Sequence, residues 1–432
     1  MATVLAVATV VFLSRALLAT LIVPPWQQPD EPIHVAVAEV WRSRISGDDA
    51  QDRGRQAEII DSMIRHGWWR HYQKPLPPGP QPTRFASTGV VFPTIGLEPE
   101  DWVYQPPYYA TVGWLLSLVP RAPVERDLYF MRIVSILFAI GTLWVAFLGS
   151  RLALDELSAG TVASLLALHP QFAIASTTAA PDAVVVFAGA VLWWQTMSAI
   201  RQPHYVRALM IVWLTVIAAA LVDRAGIALI PIAFVMTAFV FVRRLPVLMA
   251  VTALAVVTLA VAVAMATVPT IRGLLRISLA DTMVSSSISD AAQYAMRFTG
   301  FLFSSWWYSL GWVRYFAPQW WVISTTVIAA VAVIGTWRSF ARSGATRIVI
   351  AFAAVNLLCL LLAIAWVFLR VRVGAQGRYL FPAIVPALTL MWLGTAAWVP
   401  PRLRPVVSTA LVAAFAILDL VAWTVVAVPA YL

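Results

Sequence analysis

Eleven apolar runs, each long enough to cross a lipid bilayer as a helix, constrain this chain more than any other feature of its sequence. A hydrocarbon core about 30 Å thick takes roughly 20 apolar residues per helix. Of the 432 residues, 61% are hydrophobic and only 12% are charged, which excludes a soluble globular protein. We therefore predict an all-α polytopic membrane protein with eleven transmembrane helices. The runs cover residues 3–23, 129–150, 157–177, 183–200, 206–222, 226–242, 247–268, 320–337, 348–369, 379–398 and 406–428.

The long hydrophilic segment 24–128 separates the first two runs. Toward its end, residues 106–120 form an apolar stretch bounded by prolines, which as a helix would be about 22 Å long and too short to cross. We expect this stretch to be an interfacial helix that lies along the membrane surface. Segment 24–128 is then one large loop on one side of the membrane.

The distribution of arginine predicts the orientation of the helices. With 106–120 lying flat, ten arginines fall in short loops on one side and four on the other. The ten are Arg151, Arg201, Arg207, Arg243, Arg244, Arg338, Arg342, Arg347, Arg402 and Arg404, and the four are Arg224, Arg370, Arg372 and Arg378. By the positive-inside rule the arginine-rich side is cytoplasmic. We therefore expect a cytoplasmic N-terminus and an extracytoplasmic loop 24–128.

We divide the chain at residue 242. Residues 1–242, including loop 24–128, are predicted to form an N-terminal module of catalytic type, and residues 243–432 the C-terminal transmembrane helices with a second outer loop at 269–319. Aromatic residues are dense in and beside this second loop, and five of them are Trp306, Trp307, Tyr308, Trp312 and Trp320. Such density is typical of the headgroup level of a bilayer, so an aromatic belt is favoured over a platform that stacks on sugars.

The basic excess of the chain has two explanations. The formal charge is +10, and every basic residue except Lys74 is arginine. Arginine binds phosphate with a planar fork, so phosphate-bearing partners are one explanation, and orientation in a bilayer is the other. Membrane lipids are expected partners, and nucleic acid is not. The one cysteine, Cys359, excludes a disulfide framework and a cysteine-ligated metal site.

Two carboxylates and an imidazole follow the first apolar run, in Pro29-Asp30-Glu31-Pro32-Ile33-His34. One reading is helix initiation, with Asp30 as the N-cap and Glu31 favoured by the helix dipole. The other reading is a chemical site at the outer membrane surface. Spacing alone leaves both readings open.

Further charged residues favour a site. Asp182 lies in a very short link between two runs, where a carboxylate at the membrane boundary is a functional candidate. Arg370, Arg372 and Arg378 crowd one outer connection, and no Asp or Glu occurs between residues 291 and 418. Unpaired outward charge of this kind argues for an anionic ligand over a structural salt bridge.

Other charges have simpler readings. Asp223 beside Arg224 is expected to form a mutual salt bridge. Arg15 lies inside the first run, where an isolated arginine costs roughly 2.5 to 3.5 kcal/mol unless it finds a partner. Asp419, in the last run, is the one acid at comparable depth and the candidate partner.

Five short motifs follow one another along the chain. They are Pro29-Asp30-Glu31-Pro32-Ile33-His34, Gln105-Pro106-Pro107-Tyr108-Tyr109, Arg132-Ile133-Val134-Ser135, the segment from Pro170 to Pro181-Asp182, and Gln376-Gly377-Arg378-Tyr379-Leu380-Phe381-Pro382. In this order they resemble the C-type integral-membrane glycosyltransferases (GT-C). More narrowly, they are similar to an uncharacterised bacterial branch with Asp-Glu-Pro-x-His and Gln-Gly-Arg-Tyr signatures, which implies a protein of a bacterial plasma membrane. The resemblance covers most of the chain to about residue 242 and again from about 348.

The resemblance implies a GT-C-like fold and a polyprenyl-phosphate-linked sugar donor. The sugar would pass to a cell-envelope acceptor on the outer face, with inversion at the anomeric carbon. Asp30, with Glu31 beside it, is similar to the family's catalytic base, and Asp182 to its second acid. Residues in or beside the motifs are expected to bind substrate: His34, Gln105, Tyr108, Arg132, Arg372, Arg378 and Tyr379. One departure is that no basic residue or histidine precedes the paired prolines.

The chemistry of these residue types agrees with that reaction. A phosphate leaving group is a weak base, so one carboxylate that accepts the acceptor's proton suffices, and Asp30 is the candidate. Asp182 would position the acceptor or tune Asp30, while arginines stabilise the leaving phosphate. His34 could orient Asp30, contact the donor phosphate, or only hydrogen-bond the loop. A divalent metal is conceivable at these acids, but the motif has no second histidine and no cofactor is predicted.

Two other functional classes are a lipid-linked sugar transporter or flippase and a non-catalytic scaffold for cell-envelope assembly. A transporter is expected to have paired repeats, interrupted helices and ionisable groups near the midplane. The acids of this sequence cluster on one face instead, which favours an enzyme. A scaffold would not require Asp30, Asp182 or Arg378.

Overall fold

The computed structural model of the protein describes residues 2–47, 52–71, 106–201, 203–267, 288–342, 344–371 and 375–432. Over these ranges the chain is almost entirely helical, which confirms the predicted all-α class. The first nine helices are α1 (Ala2–Ile22), α2 (Glu31–Ser46), α3 (Asp52–Arg65), α4 (Trp68–His71), α5 (Pro106–Ser117), α6 (Val124–Ala153), α7 (Glu156–Leu168), α8 (Pro170–Ala175) and α9 (Asp182–Arg201).

The second half of the chain continues the bundle. Its helices are α10 (Tyr205–Val222), α11 (Ile230–Arg244), α12 (Val247–Thr267), α13 (Ile288–Trp307), α14 (Gln319–Arg342), α15 (Gly344–Val371), α16 (Ile384–Ala396), α17 (Arg404–Val421) and α18 (Val428–Tyr431). Tighter or wider helical turns occur at Arg224–Leu229, Gly377–Ala383, Pro401–Leu403 and Ala422–Ala427. Strands β1 (Ser309–Leu310) and β2 (Tyr315–Phe316) form an antiparallel hairpin.

Nine helical segments in the described part of the chain are long and apolar enough to cross a membrane, and each coincides with a predicted run. Run 247–268 corresponds to the 21-residue helix α12. Run 157–177 was expected to be one helix and is not. It is broken at His169, because Pro170 has no N–H to continue the hydrogen-bond ladder of α7.

The described parts of segment 24–128 pack into a small helical unit. Its buried apolar residues, from α2, α3, α5 and the start of α6, include Ile33, Val37, Ile59, Met63, Tyr109, Leu116 and Leu128. Helix α5 is the predicted interfacial stretch and has only 12 residues. It lies so close to α2 that a Cβ added at Gly113 would be 2.8 Å from the Cβ of Trp41. The short helix is therefore bound to α2 on one side, while Trp114 is exposed on the other.

Buried ion pairs join the helices of this outer unit. Arg55 Nε of α3 lies 3.1 Å from Glu39 Oε2 of α2, and Arg42 Nη1 of α2 lies 3.2 Å from Asp127 Oδ2 of α6. Burial opposes ionisation of Glu39, but the adjacent Arg55 guanidinium holds the pKa of that carboxyl below its ordinary value. These pairs connect α2, α3 and α6 where a small apolar core alone gives limited stability.

The aromatic residues of the second outer region do not form the expected belt. Trp306, Trp307 and Tyr308 are buried in the protein, and Trp312 is partly buried. Trp312 Nε1 donates a hydrogen bond to the backbone oxygen of Trp26, 3.0 Å away. Among the five aromatic residues, Trp320 alone is exposed. The belt prediction is wrong for the other four because they pack on protein partners that are distant in sequence.

The buried arginine of the first run has the predicted partner. Arg15 Nε of α1 donates to Asp419 Oδ2 of α17 at 2.7 Å, and Arg15 also contacts the Ala167 carbonyl at the end of α7. Trp423 Nε1 donates to the same carboxylate. The pair therefore joins the first and last long helices beside the break at His169.

Removing one member of this pair should leave the other as an uncompensated buried charge. We expect Arg15→Leu to destabilise the protein by about 3 to 5 kcal/mol, and the double variant Arg15→Leu/Asp419→Leu to recover part of that loss. Thermal unfolding of purified protein in detergent measures both effects. A double variant less stable than either single variant would contradict the assignment.

Candidate functional site

Asp30 lies in a turn before α2, and its side chain does not cap that helix. It is the residue before α2 and has φ 67° and ψ 0°, in the left-handed region that Asp tolerates better than most residues. Its side chain makes no capping hydrogen bond to α2, so the N-cap reading does not describe this carboxylate. Instead, Asp30 Oδ2 accepts a hydrogen bond from Arg378 Nη2 at 3.1 Å. The left-handed turn thus directs an acid toward the far half of the chain.

The same guanidinium pairs with the second predicted acid. Arg378 Nη1 lies 3.3 Å from Asp182 Oδ2. Arg378 is only 8% exposed, whereas the side chains of Asp30 and Asp182 are 37% and 27% exposed. The guanidinium is therefore the buried back of the site, and the two carboxylates are its accessible front.

Arg378 is paired, contrary to the expectation from the sequence. The sequence has no acid near it along the chain, and an unpaired charge was expected. The structure supplies Asp30 and Asp182 from the N-terminal half, so Arg378 does have ion-pair partners. Even so, Arg378 Nε has no hydrogen-bond acceptor among the described residues, and Nη1 makes an ion pair with Asp182 without a hydrogen bond. The guanidinium can therefore still donate to another group.

Close backbone packing positions the turn that carries Arg378. Gly377 N donates to Ser305 Oγ of α13 at 2.8 Å, and Gly377 lies directly against the backbone of Trp306. Gly189 of α9 contacts the backbone of Pro382 with no room for a Cβ. The Gly377–Ala383 turn is thus held between α9 and α13, and the two predicted parts of the chain meet at this site.

Glu31 and Arg132 form a buried ion pair. Both side chains are fully buried, and Arg132 Nε and Nη2 each lie 2.8 Å from a carboxylate oxygen of Glu31. Arg132 Nη1 and Nη2 also donate to the carbonyls of Val23 and Pro24, after α1. Because neither side chain is exposed and each is engaged by the other, the geometry favours a structural role for both over the predicted roles as catalytic acid and substrate ligand.

Glu31 also connects the two accessible acids. Its Oε1 accepts from the Ala179 backbone N at 3.3 Å, three residues before Asp182. Ser135 Oγ, on the same helix as Arg132, donates to the Thr178 carbonyl at 2.7 Å. Because Glu31 adjoins Asp30 and binds the turn that leads to Asp182, it holds both carboxylates in one place.

The tyrosines of α5 lie beside the acids. His34 Nδ1 and the Tyr109 hydroxyl are 2.6 Å apart, which agrees with the reading in which His34 holds the loop. The Tyr108 hydroxyl is buried and lies near the Ser135 side chain. Burial, and then the nearby Asp182 carboxylate, raise the pKa of Tyr108 well above its usual range. Tyr108 therefore stays a neutral hydrogen-bond donor toward this space.

Sequence reasoning missed Tyr109 and Asp223 as neighbours of the site. Burial raises the pKa of Tyr109 first, and the nearby carboxylates of Asp223, Asp182 and Asp30 raise it further. Asp223 Oδ1 accepts from the Ala225 backbone N at 2.7 Å, as a cap of the Arg224–Leu229 turn. The side chain of Arg224, its predicted partner, lies outside the described part. The adjacent Tyr-Tyr of the motif could have indicated Tyr109.

An apolar cleft begins at the ion pairs. It is lined at one end by Asp182 and Arg378 and continues along Phe172, Val186 and Phe381. Ala139 and Thr142 of α6 also line it, which places its inner end two to three turns from Arg132 along that helix. The volume of the cleft is about 10 Å³, close to that of one water molecule, so an amphipathic ligand with its anionic group at Arg378 would have to part the apolar walls to enter.

Three more residues were predicted to bind substrate: Tyr379, Gln105 and Arg372. The ring centre of Tyr379 lies 5.5 Å from the guanidinium carbon of Arg378, so this ring stabilises the cation. Gln105 and Arg372 lie outside the described residues. Over the described ranges, no group of three His, Cys, Asp or Glu side chains is placed to hold a metal ion.

A family model described as "Predicted membrane protein (DUF2142)" matches residues 12–387. The chain belongs to this family. No curated protein and no solved structure matches it. DUF2142 membership and the apolar helices together make this a multi-pass membrane protein. Asp30, Asp182 and Arg378 all fall inside the matched DUF2142 region.

The structural role of Glu31 makes a direct prediction. Glu31→Gln should leave Arg132 as an unpaired buried charge and lower stability by about 3 to 5 kcal/mol. Asp61→Asn is the matched control, because Asp61 pairs with Arg65 on an exposed face and should change stability by less than about 1 kcal/mol. Thermal unfolding in detergent compares them. Equal stability of the two variants would show that Glu31 is not the support of the site.

Proposed function

We propose that this DUF2142 protein is an inverting glycosyltransferase that uses a polyprenyl-phosphate-linked sugar to modify a glycan, lipid or protein of the cell envelope. The proposal is carried by one observation: a buried arginine that can still donate a hydrogen bond stands between two accessible carboxylates at the mouth of an apolar cleft. The resemblance of the motifs to C-type glycosyltransferases supplies the reaction class.

Arg378 is the proposed ligand of the donor phosphate. Arginine presents several donors in one plane and binds phosphate oxygens in pairs. Its Nε lacks a hydrogen-bond acceptor in the described structure, and Tyr379 supports the cation from one side. The Tyr108 hydroxyl adds a neutral donor near Asp182.

The cleft is the proposed binding site of the start of the polyprenyl chain. Its walls beyond Asp182 and Arg378 are apolar side chains of α6, α8, α9 and the Gly377–Ala383 turn, including Ala139, Phe172 and Val186. A lipid-linked donor needs its phosphate at the polar mouth and its hydrocarbon in such a slot. A soluble nucleotide sugar has no hydrocarbon chain that could contact the apolar walls of the cleft.

Asp30 is the proposed general base. The acceptor oxygen attacks the anomeric carbon from the face opposite the phosphate, its proton passes to Asp30, and the sugar–phosphate C–O bond breaks. The bonding electrons go to the leaving phosphate, where Arg378 stabilises the developing charge. Because phosphate leaves as a weak base, the reaction needs no general acid. Asp182 orients the acceptor.

The ion pairs give the proposed reaction an order of events. Arg378 occupies one oxygen of Asp30 and lies beside Asp182. A donor phosphate competes for the same guanidinium, which weakens its hold on both carboxylates. Asp30 therefore stays paired with Arg378 until a donor binds. Donor binding then frees the Asp30 carboxylate to accept a proton.

Asp30→Asn should retain donor binding and lose turnover by about 10² to 10⁴, because the amide keeps the shape of the acid but accepts no proton. The assay follows polyprenyl phosphate released from a panel of polyprenyl-phosphate sugars by purified protein in lipid. Asp182→Asn should reduce turnover by a similar or smaller factor. Asp61→Asn, on an exposed face, is the control. Wild-type turnover in Asp30→Asn would remove Asp30 as the base.

Arg378→Lys should bind a polyprenyl-phosphate sugar less tightly than wild type, and Arg378→Ala about ten- to a hundredfold less tightly, because a charge-assisted hydrogen bond contributes roughly 1.5 to 3 kcal/mol. Arg314→Ala is the control, since Arg314 is exposed and donates to the Arg70 carbonyl. Direct binding to labelled donor is the measurement. Unchanged affinity in Arg378→Ala would contradict the phosphate assignment.

The proposal also requires an extracytoplasmic site. In a Cys359→Ser background, we expect a cysteine at exposed position 61 to react with a membrane-impermeant maleimide in intact cells. A cysteine at exposed position 244 should react only after permeabilisation. The opposite pattern would place the site on the cytoplasmic face.

A further inference from the structure

A second cavity lies at the opposite end of the helix bundle from Arg378. Its volume is about 460 Å³, within the range of small-molecule sites. The lining includes Arg338, Ser339, Thr346, Trp392, Trp398 and Arg404. Arg378 begins the candidate span Gly377–Ala396, and Trp392 lies near its end. The length of one span therefore separates the cavity from the site described above.

The charge of this cavity is of one sign. Arg338 and Arg404 line it, and its lining includes no Asp or Glu. The acids closest along the chain to a lining residue are Glu156 and Asp155, two and three residues before Ser158. Glu156 is exposed and does not line the cavity, and Asp155 Oδ1 accepts from the backbone N of Ser158 at 2.8 Å as the cap of α7. The cavity thus holds two guanidinium groups with hydroxyls from Ser339 and Thr346 beside them.

Two side chains that line this cavity carry buried donors without acceptors. Arg404 Nε and Trp392 Nε1 are buried and have no hydrogen-bond partner among the described residues. The Trp392 side chain is only 1% exposed, so water outside the protein does not satisfy it. Both groups can only donate, and a buried donor without an acceptor costs free energy. The missing partner must therefore be an acceptor.

The arginines are held in place by their surroundings. The Arg338 guanidinium carbon lies 5.5 Å from the ring centre of Trp398, and Trp398 Nε1 donates to the Val331 carbonyl at 3.1 Å. Helices α14 and α16 approach so closely that Gly335 and Gly394 are in direct backbone contact. This crossing supports one wall of the cavity.

We infer that this cavity is a phosphate-binding site, occupied by the phosphate of an anionic lipid headgroup or by a free phosphate ion. A cluster of guanidinium, indole and hydroxyl donors matches the oxygens of a phosphate group and no cation. Trp398, Leu403 and Val406 are exposed next to the cavity, so an acyl chain has an apolar surface to lie on. The inference does not depend on the proposed glycosyl transfer.

The test uses the purified full-length protein in detergent and three probes: dioctanoyl phosphatidic acid, dioctanoylglycerol and inorganic phosphate. Phosphatidic acid should bind wild type more tightly than dioctanoylglycerol, which lacks only the phosphate. Arg404→Gln should weaken that binding by about tenfold or more, because it removes a charge-assisted hydrogen bond. Arg402→Gln is the matched control, since Arg402 is exposed in the same turn and does not line the cavity.

Each outcome decides the inference. Competition by inorganic phosphate supports it and identifies a free ion as a ligand, whereas Arg404-dependent binding of phosphatidic acid without such competition supports a lipid source. Equal weakening in Arg402→Gln and Arg404→Gln would overturn it, as would equal affinity for phosphatidic acid and dioctanoylglycerol. If Arg404→Gln does not fold, Ala397→Leu, which fills the cavity without a charge change, should also weaken binding by about tenfold or more. Undiminished binding in Ala397→Leu would overturn the inference.

Discussion

The buried ion pair between Glu31 and Arg132 is the contact on which the site depends. Arg132 binds Glu31 with two nitrogens and the end of α1 through the Val23 and Pro24 carbonyls. Glu31 in turn accepts from the Ala179 backbone N, in the turn before Asp182. Removing either residue would leave the other as an uncompensated buried charge. We therefore expect loss of either one to weaken the packing between α1, α2, α6 and the turn before Asp182.

This support lets two adjacent carboxylates serve different purposes. Glu31 is fully buried and engaged, while Asp30 is held in a left-handed turn that exposes its side chain and directs it to Arg378. Arg378 arrives from the other half of the chain, on a turn packed between α9 and α13. The accessible acids therefore belong to one half and the cation to the other, with an apolar cleft behind them.

The sequence predicted what depends on local pattern and missed what depends on distant partners. Apolar runs gave the helices, and the scarcity of deep charges identified Asp419 as the partner of Arg15. Spacing could not tell which of Asp30 and Glu31 is buried, because that depends on Arg132, 101 residues away from Glu31. Likewise, Arg378 looked unpaired because its acid Asp30 is 348 residues distant. The density of aromatic residues predicted a belt. Density alone does not show whether an aromatic side chain faces lipid or packs against protein.

The central claim is that Arg378 exchanges its carboxylate partners for the phosphate of a lipid-linked donor. The most direct measurement is a cryo-electron-microscopy structure of the protein in lipid with a non-transferable polyprenyl-phosphonate sugar. The account predicts the phosphonate within hydrogen-bond distance of Arg378, the isoprenoid start in the cleft beside Phe172 and Val186, and the anomeric carbon facing Asp30. A structure in which Arg378 still binds both Asp30 and Asp182, with the phosphonate elsewhere, would contradict it.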